Sequence, residues 1–485
     1  MLMTRFLLRF FQKAAGTLLA LCMLFSTASA GGLDGLAPML SDFLQSAEQG
    51  RPLDITLSAT LHQLVPYGED TLKALNSLLA GVKLQIAYQN AGGAETVKAQ
   101  LVMGDTAALD FTQRNTGDQT LLQTSLLPGT TYASAAETPM ETLFNEQAEA
   151  PSWITDVPDL DALFHKVTAG LDSLQDFAKE KKVSYKLTSV GTAKKALVYT
   201  VPEESAQLVK DVLSQLLEGL PLENLRGAAS LLQVTGDTVV TLYQSAEGEN
   251  MGLSVKGVMA YNGGSSRKVS FLWGALPDAD KAVHTLSLKA PAVKGSDSLT
   301  VTGKYILTKK AAQNSLSLSL DTKNTLDKKT DRIVWAGDLS CLVAEDNQRL
   351  EGEVKRTHTG AEGAVDVYSV KPGLTVVQAG GTPSLQGNVR IAFMQDKRLQ
   401  SDATVSVAAA QAGAPAWEAS FPAVSLDGIG QDALDALREK AQSASEKAVL
   451  QAVLTLDPNT LTLISSNITQ EDWERIYKGL DLVTQ

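Results

Sequence analysis

From residue 230 to residue 410 the chain alternates apolar and polar side chains, interrupted by little more than turns. That period of two confines the segment to extended structure, because successive strand side chains point to opposite faces. Leu316, Leu318 and Leu320 alternate with Ser317 and Ser319, so one side of this strand is dry and the other wet. Strands are predicted at 238–244, 252–261, 268–273, 285–288, 299–308 and 315–321. More follow at 332–341, 349–357, 364–370, 388–393 and 402–408.

A sheet with one apolar side needs cover, and the flanking sequence offers helices for it. Leu36, Met39, Leu40, Phe43 and Leu44 stand at helical spacing. An alternating run follows at Leu53, Ile55, Leu57, Ala59 and Leu61. A second helix carries Leu72, Leu75, Leu78 and Leu79 and stops at Gly81. Strands at 82–88, 97–103, 107–111 and 119–126 complete a first cycle, and 128–158 turns irregular.

A second cycle opens with Leu160, Leu163, Phe164, Val167, Leu171, Leu174 and Phe177 on one helix. Strands at 183–190 and 196–201 come next, and then a helix is started by Pro202, Glu203 and Glu204. Its packing stripe is Leu208, Val209, Val212, Leu213, Leu216 and Leu217, with Gly219 as terminator. The two cycles lie about 130 residues apart and suggest related units. Toward the end, Leu426, Ile429, Ala433, Leu434, Leu437 and Ala441 predict a helix reaching toward residue 454. Pro458 interrupts it, 460–465 reads as a strand, and Thr469 caps a last helix bearing Trp473, Ile476, Tyr477 and Leu480.

These elements predict an α+β fold: a large curved antiparallel sheet, or sheets, covered by amphipathic helices in a half-barrel-like form. The division expected is a leader at 1–30, a first helix-plus-sheet unit at 31–135 and a linker at 136–158. A second helix-plus-extended-sheet unit at 159–425 and a C-terminal helical packing segment at 426–485 follow.

Arg5, Arg9 and Lys13 precede an apolar stretch at 14–25, and Ala28 and Ala30 then fit signal-peptidase pockets. The expectation is export with cleavage after Ala30, to the cell envelope or the outside. Leu19-Ala20-Leu21-Cys22 approaches a lipid-attachment motif, but bulky Leu21 stands where a small residue is required. Beyond the leader Cys341 is the sole cysteine, which excludes an intrachain disulfide and a thiolate metal cluster. The formal charge is -12, and loss of the three leader bases makes it more negative still. That balance disfavours nucleic acid and general adsorption to anionic headgroups. No later segment has the length and apolarity of a transmembrane helix.

No catalytic centre is legible. His62, His165, His284 and His358 share no ligand spacing, and no nucleophile elbow or phosphate-cradling loop occurs. Asp278 with Asp280, and Glu351 with Glu353, read as solvated pairs on a loop and on a strand face. Trp153, Trp273, Trp335, Trp417 and Trp473 read as fillers between sheet and helices, with a ligand platform as the alternative. No catalytic, cofactor-binding or metal-binding residue is assigned, and no cofactor is expected.

The helix at 160–177, the unit at 202–219 and the meander after it resemble lipoprotein-carrier-like half-barrels and large bacterial extracytoplasmic proteins. The pattern at 53–126 resembles a smaller version. The resemblance is architectural, and it implies a concave apolar sheet face that holds a lipid or acyl chain. The leading expectation is a noncatalytic binding or scaffold protein acting through a sheet surface or a sheet–helix groove. The alternatives are a carrier of a lipid or other apolar ligand, with Leu253, Val255, Leu316, Leu318 and Leu320 lining its cavity, and an extracellular hydrolase. Expected partners are an apolar small molecule, a lipid or an envelope protein.

Overall fold

The computed structural model describes residues 36–135, 139–144, 160–219, 232–261, 266–276, 280–291, 298–326, 328–379 and 382–469. The leader expected at 1–30 with its Cys22, and also Trp153, Asp278 and the helix expected at 469–480 apart from Thr469, lie outside the described residues.

The chain opens with α1 (Pro38–Glu48), β1 (Leu53–Leu64), α2 (Glu69–Ala80), β2 (Val82–Ala91) and β3 (Ala94–Met103). It continues through β4 (Thr106–Asn115), β5 (Thr120–Thr124), β6 (Thr131–Ser134) and the short α3 (Pro139–Phe144). Next, α4 (Leu160–Ala169) tightens into a 3-10 helix (Gly170–Phe177), where the sequence predicts one continuous helix. Strands β7 (Ala178–Leu187) and β8 (Gly191–Val201) lead to α5 (Ala206–Gly219). Then come β9 (Leu232–Val234), β10 (Thr238–Gln244), β11 (Asn250–Tyr261), β12 (Arg267–Leu276) and β13 (Lys281–Ala290).

The long meander is β14 (Ser298–Thr308), β15 (Gln313–Leu326), β16 (Lys329–Val343) and β17 (Asn347–Thr359). It ends with β18 (Val365–Ala379), β19 (Thr382–Gln395) and β20 (Arg398–Gln411). Finally β21 (Ala423–Ser425) precedes α6 (Gln431–Val453) and α7 (Pro458–Asn467).

Among the described residues all 21 strands join one sheet. From β10 the strands pair in chain order to β20, and β20 then pairs with β1. The row continues through β2 to β6, and at its other end β8 and then β7 extend it from β10. Every pairing is antiparallel except β21 on β6. Among the described residues β7 does not pair with β6 or β21, so the sheet is open.

Register partners share a face, which lets the pairing assign each side chain to a side. On the inner face, Leu36, Leu40 and Phe43 join a core with Leu57, Leu84, Leu350, Leu374 and Val407. Gln348 Oε1 accepts from the Met39 N–H at 2.8 Å, and Asn314 Nδ2 donates to the Leu36 carbonyl at 3.0 Å. These bonds tether the start of α1 across β15 and β17. A second inner-face core gathers Phe164, Val167, Leu171, Val209 and Val212 around Leu253, Val255, Phe271 and Trp273. A third helical packing site lies where Leu143 of α3 and Ala441 of α6 meet Leu122 and Tyr132, so the expected helical cover is gathered at separate parts of the sheet.

The opposite, outer face is polar across the meander. Lys304, Ser317, Ser319, Asp338, Lys355, Lys371 and Arg390 are exposed on it. A small apolar cluster interrupts this face near β8, where Leu187 and Val190 of the β7–β8 turn fold over. Room comes from the register pair Gly252 and Gly274, whose missing Cβ atoms would meet Leu187 and Val190 at 3.0 and 3.1 Å.

Two expectations need correction. Residues 460–465 are not a strand but the middle of α7. Asp457 caps that helix by accepting from the Asn459 and Thr460 N–H groups, both at 3.0 Å, and Pro458 occupies its first turn. The strand expected from 183 starts at Ala178, because a lysine-rich edge strand has no dry face to announce it.

Candidate functional site

One cross-strand row on the inner face carries the largest side chains. Reading perpendicular to the strands from β12 to β19, it is Trp273, Leu286, Gly303, Leu320, Trp335, Arg356, Tyr368 and Phe393. Strands stand about 4.8 Å apart, so the row runs roughly 34 Å. Beside it lies a second row of His284, Tyr305, Leu318, Gly337, Val354, Val370 and Ile391. Only Arg356 and His284 interrupt two adjacent apolar tracks.

Burial varies along the tracks. Trp273 is 2% exposed under Phe164, whose ring meets it edge-on at 5.1 Å. Leu286, Tyr305, Leu318, Leu320, Val354 and Ile391 are half-buried. Gly303 and Gly337 form shallow recesses into which Leu320 and Leu286, and Leu318 and Val354, lean. At the far end Tyr368 and Phe393 stack at 4.6 Å, and the Arg356 guanidinium lies 6.0 Å from the Trp335 ring and 5.8 Å from Tyr368. One row further along, Asp366 Oδ1 is buried and lacks a hydrogen-bond partner among the described residues.

The expected lining set thus divides. Leu253, Val255 and Leu316 are sealed in the cores at 0%, 1% and 4% exposure, whereas Leu318 and Leu320 remain half-buried. The first three meet other apolar side chains in a dry core and do not line an open cavity.

Each histidine has a neighbour. His284 Nδ1 accepts from Trp273 Nε1 at 3.2 Å, which leaves Nε2 to donate to Asp161 at 2.9 Å. This relay pins the first turn of α4 to β12 and β13. His62 meets Thr404 at 2.8 Å, His358 meets Asp331 at 2.7 Å, and His165 lies edge-on to Phe164. Among the described residues no three metal-ligating side chains come together. Cys341 is buried, and desolvation pushes its thiol up to about 11, so it stays protonated and inert at neutral pH.

The outer face holds a recess of about 240 Å³ lined by Glu353, Lys355, Ser369, Lys371, Arg390 and Asp402, with Val367, Ala392, Met394 and Leu399 beneath. Glu353 and Glu351 do share that face, yet each has its own partners. Arg349 pairs with Glu351; Lys355, Lys371 and Ser369 converge on Glu353 at 2.8, 3.3 and 2.6 Å. Partial burial would raise the Glu353 carboxyl, but hydrogen bonds from Lys355, Ser369 and Lys371 outweigh it and hold it at about 2. Arg390 grips Asp402 with two parallel hydrogen bonds, and the Asp402 side chain is 3% exposed. The Arg390 hydrogen bond, against desolvation, lowers the Asp402 carboxyl. These charges satisfy one another, and the Ser369 hydroxyl spends its hydrogen on Glu353. The recess formed by residues from four strands was not legible in the sequence, because register alone assembles it.

No protein-family model and no curated protein sequence matches this chain. Among solved structures, similarity is found to a loop-deletion form of OmpT, an outer membrane protein of Vibrio cholerae, at 7% identity and TM-score 0.25. That alignment covers 74% of this chain and 97% of the other. The outer membrane channel DcaP of Acinetobacter baumannii aligns at 6% identity and TM-score 0.22, over 74% and 95%. Wzi of Escherichia coli, a carbohydrate-binding β-barrel involved in capsule assembly, aligns at 8% and 0.18, over 80% and 93%. Scores of this size carry no argument about function. Among the described residues no helix is long and apolar enough to cross a membrane.

Proposed function

We propose that this chain is a noncatalytic extracytoplasmic binding protein that lays an extended apolar chain, such as the acyl tail of an amphiphile, along the inner face of its sheet. The observation that carries this reading is the half-buried track of Leu286, Leu320, Tyr305, Leu318 and Val354 between two helix-packed cores. Half-buried aliphatic surface in such a continuous strip is costly to leave in water, at about 25 cal/mol per Å². An acyl chain removes it without demanding hydrogen bonds. Arg356 and the unpartnered Asp366 oxygen supply a polar end that suits a hydrogen-bonding headgroup. The sealing of Leu253, Val255 and Leu316 confines the ligand to the middle strands.

The test is lipid extraction from gently purified protein, followed by mass spectrometry and displacement of a fluorescent fatty acid. Leu320→Asp is expected to weaken fatty-acid binding at least tenfold, while Ser319→Asp, on the other face of the same strand, leaves it unchanged. Repeated preparations that carry no lipid and bind no fatty acid would refute the assignment.

A further inference from the structure

The chain is acidic, yet one edge of its sheet is not. Between residues 178 and 195, on β7 and β8, stand Lys179, Lys181, Lys182, Lys186, Lys194 and Lys195 against the single acid Glu180. All but half-buried Lys195 are exposed. Among the described residues β7 pairs only with β8, so its four lysines line a free edge roughly 30 Å long, with Lys194 and Lys195 on the strand beside it. None of the six forms an ion pair with a described carboxylate, although the other strands contain several such pairs.

Edge lysines are a common device against strand-to-strand association. Two details exceed it. Lys182 is the register partner of Lys195, a like-charge pair directly across the ladder; Glu247 acts on Lys195, whereas Lys182 on the edge strand forms no ion pair with a described carboxylate. Tyr185, on the same strand, is 39% exposed and stacks on Tyr243 with ring centroids 4.5 Å apart. An amphipathic ring beside lysines suits the interface of a bilayer, where the ring settles at headgroup depth. Repulsion by the chain as a whole is screened beyond about 8 Å at physiological salt, so the local charge decides docking.

We infer that the β7–β8 edge docks this protein on a bilayer surface that carries anionic headgroups. The inference concerns a different surface from the apolar track and is tested without any extracted lipid. The full chain is sedimented with vesicles of phosphatidylcholine alone or of phosphatidylcholine mixed with phosphatidylglycerol, whose anionic headgroups give the surface a negative potential. Binding is expected only to the anionic vesicles and is expected to fall steeply as salt rises. Each surface lysine contributes on the order of fivefold in partitioning, so K179Q/K181Q/K182Q/K186Q should lose at least a hundredfold.

Two controls keep the outcome readable. The matching four-arginine variant should retain binding, and K304Q/K323Q, changed elsewhere in the sheet, should bind as the wild type does. Equal binding to both vesicle types, or retention by the glutamine variant, would overturn the inference. So would a glutamine variant that self-associates while the wild type ignores vesicles, which would leave edge protection as the whole explanation. Capture by soluble polyphosphate without sedimentation on vesicles would replace the membrane with a soluble polyanion and overturn it as well.

Discussion

Replacing Arg390 by Met removes the guanidinium from Asp402 while keeping an aliphatic stem over the recess. Asp402 is 3% exposed, so the change strands a carboxylate with little access to water. Breaking a fully buried pair in this way costs about 3–5 kcal/mol. Arg390 is 55% exposed, which screens the pair, and Lys371 and His62 also lower the Asp402 carboxyl. Solvent screening and those neighbours reduce the expected loss to about 2 kcal/mol at neutral pH.

The pH dependence gives the sharper check. The Asp402 carboxyl lies below its ordinary value in the wild type, so the stabilisation from the pair is complete above that ordinary value, 3.8, and is lost as pH falls through the lowered one. In the variant, desolvation is opposed only by Lys371 and His62, so the carboxyl lies higher than in the wild type. The stability gap should therefore begin to close at the variant's higher value and vanish below the wild type's lower one. Urea midpoints of both proteins, measured from pH 7 to pH 3, read this directly. Arg390→Met combined with Asp402→Leu should recover part of the loss. A gap under about 0.5 kcal/mol at pH 7, or one that does not shrink in acid, would show that the grip on Asp402 contributes no stability.

Two further substitutions test the frame around the sites. Gly352, in β17, has a φ of +145°, and an added Cβ would collide with the Asp338 carbonyl of the next strand. Gly352→Ala should cost about 3 kcal/mol, seen as a lower urea midpoint, and an unchanged midpoint would refute that steric reading. His284→Leu strands the Trp273 indole N–H and frees Asp161 from β13. It should destabilise by about 2–3 kcal/mol and shift tryptophan emission, with Trp273→Phe restoring part of the stability in the double variant; additive losses would contradict the relay.

The strands were legible wherever one face is dry. Leu316, Leu318 and Leu320 do point inward against serines that point out. Legibility failed where a local signal competes with the pattern. Thr460, Leu461, Thr462, Leu463 and Ile464 have strand-like composition, and the Asp457-Pro458 start outweighs it by satisfying the helix N-terminus. Lys179 to Lys182 read as solvated surface because both faces of an edge strand are wet. The track and the outer recess were beyond sequence reading for a different reason. Trp273, Leu320, Trp335 and Phe393 become one row only through seven successive registers, which no local spacing encodes.

The β1–β20 seam sets a schedule for biogenesis. His62 and Thr404, bonded across it, are 342 positions apart. At synthesis rates of about 5–20 residues per second, β1 waits on the order of 17–70 s for the neighbour that completes its ladder. Throughout that interval the second edge of β1 lacks its ladder partner, and a free strand edge is a template for association with other chains. Truncation anywhere before residue 398 would leave that edge permanently open.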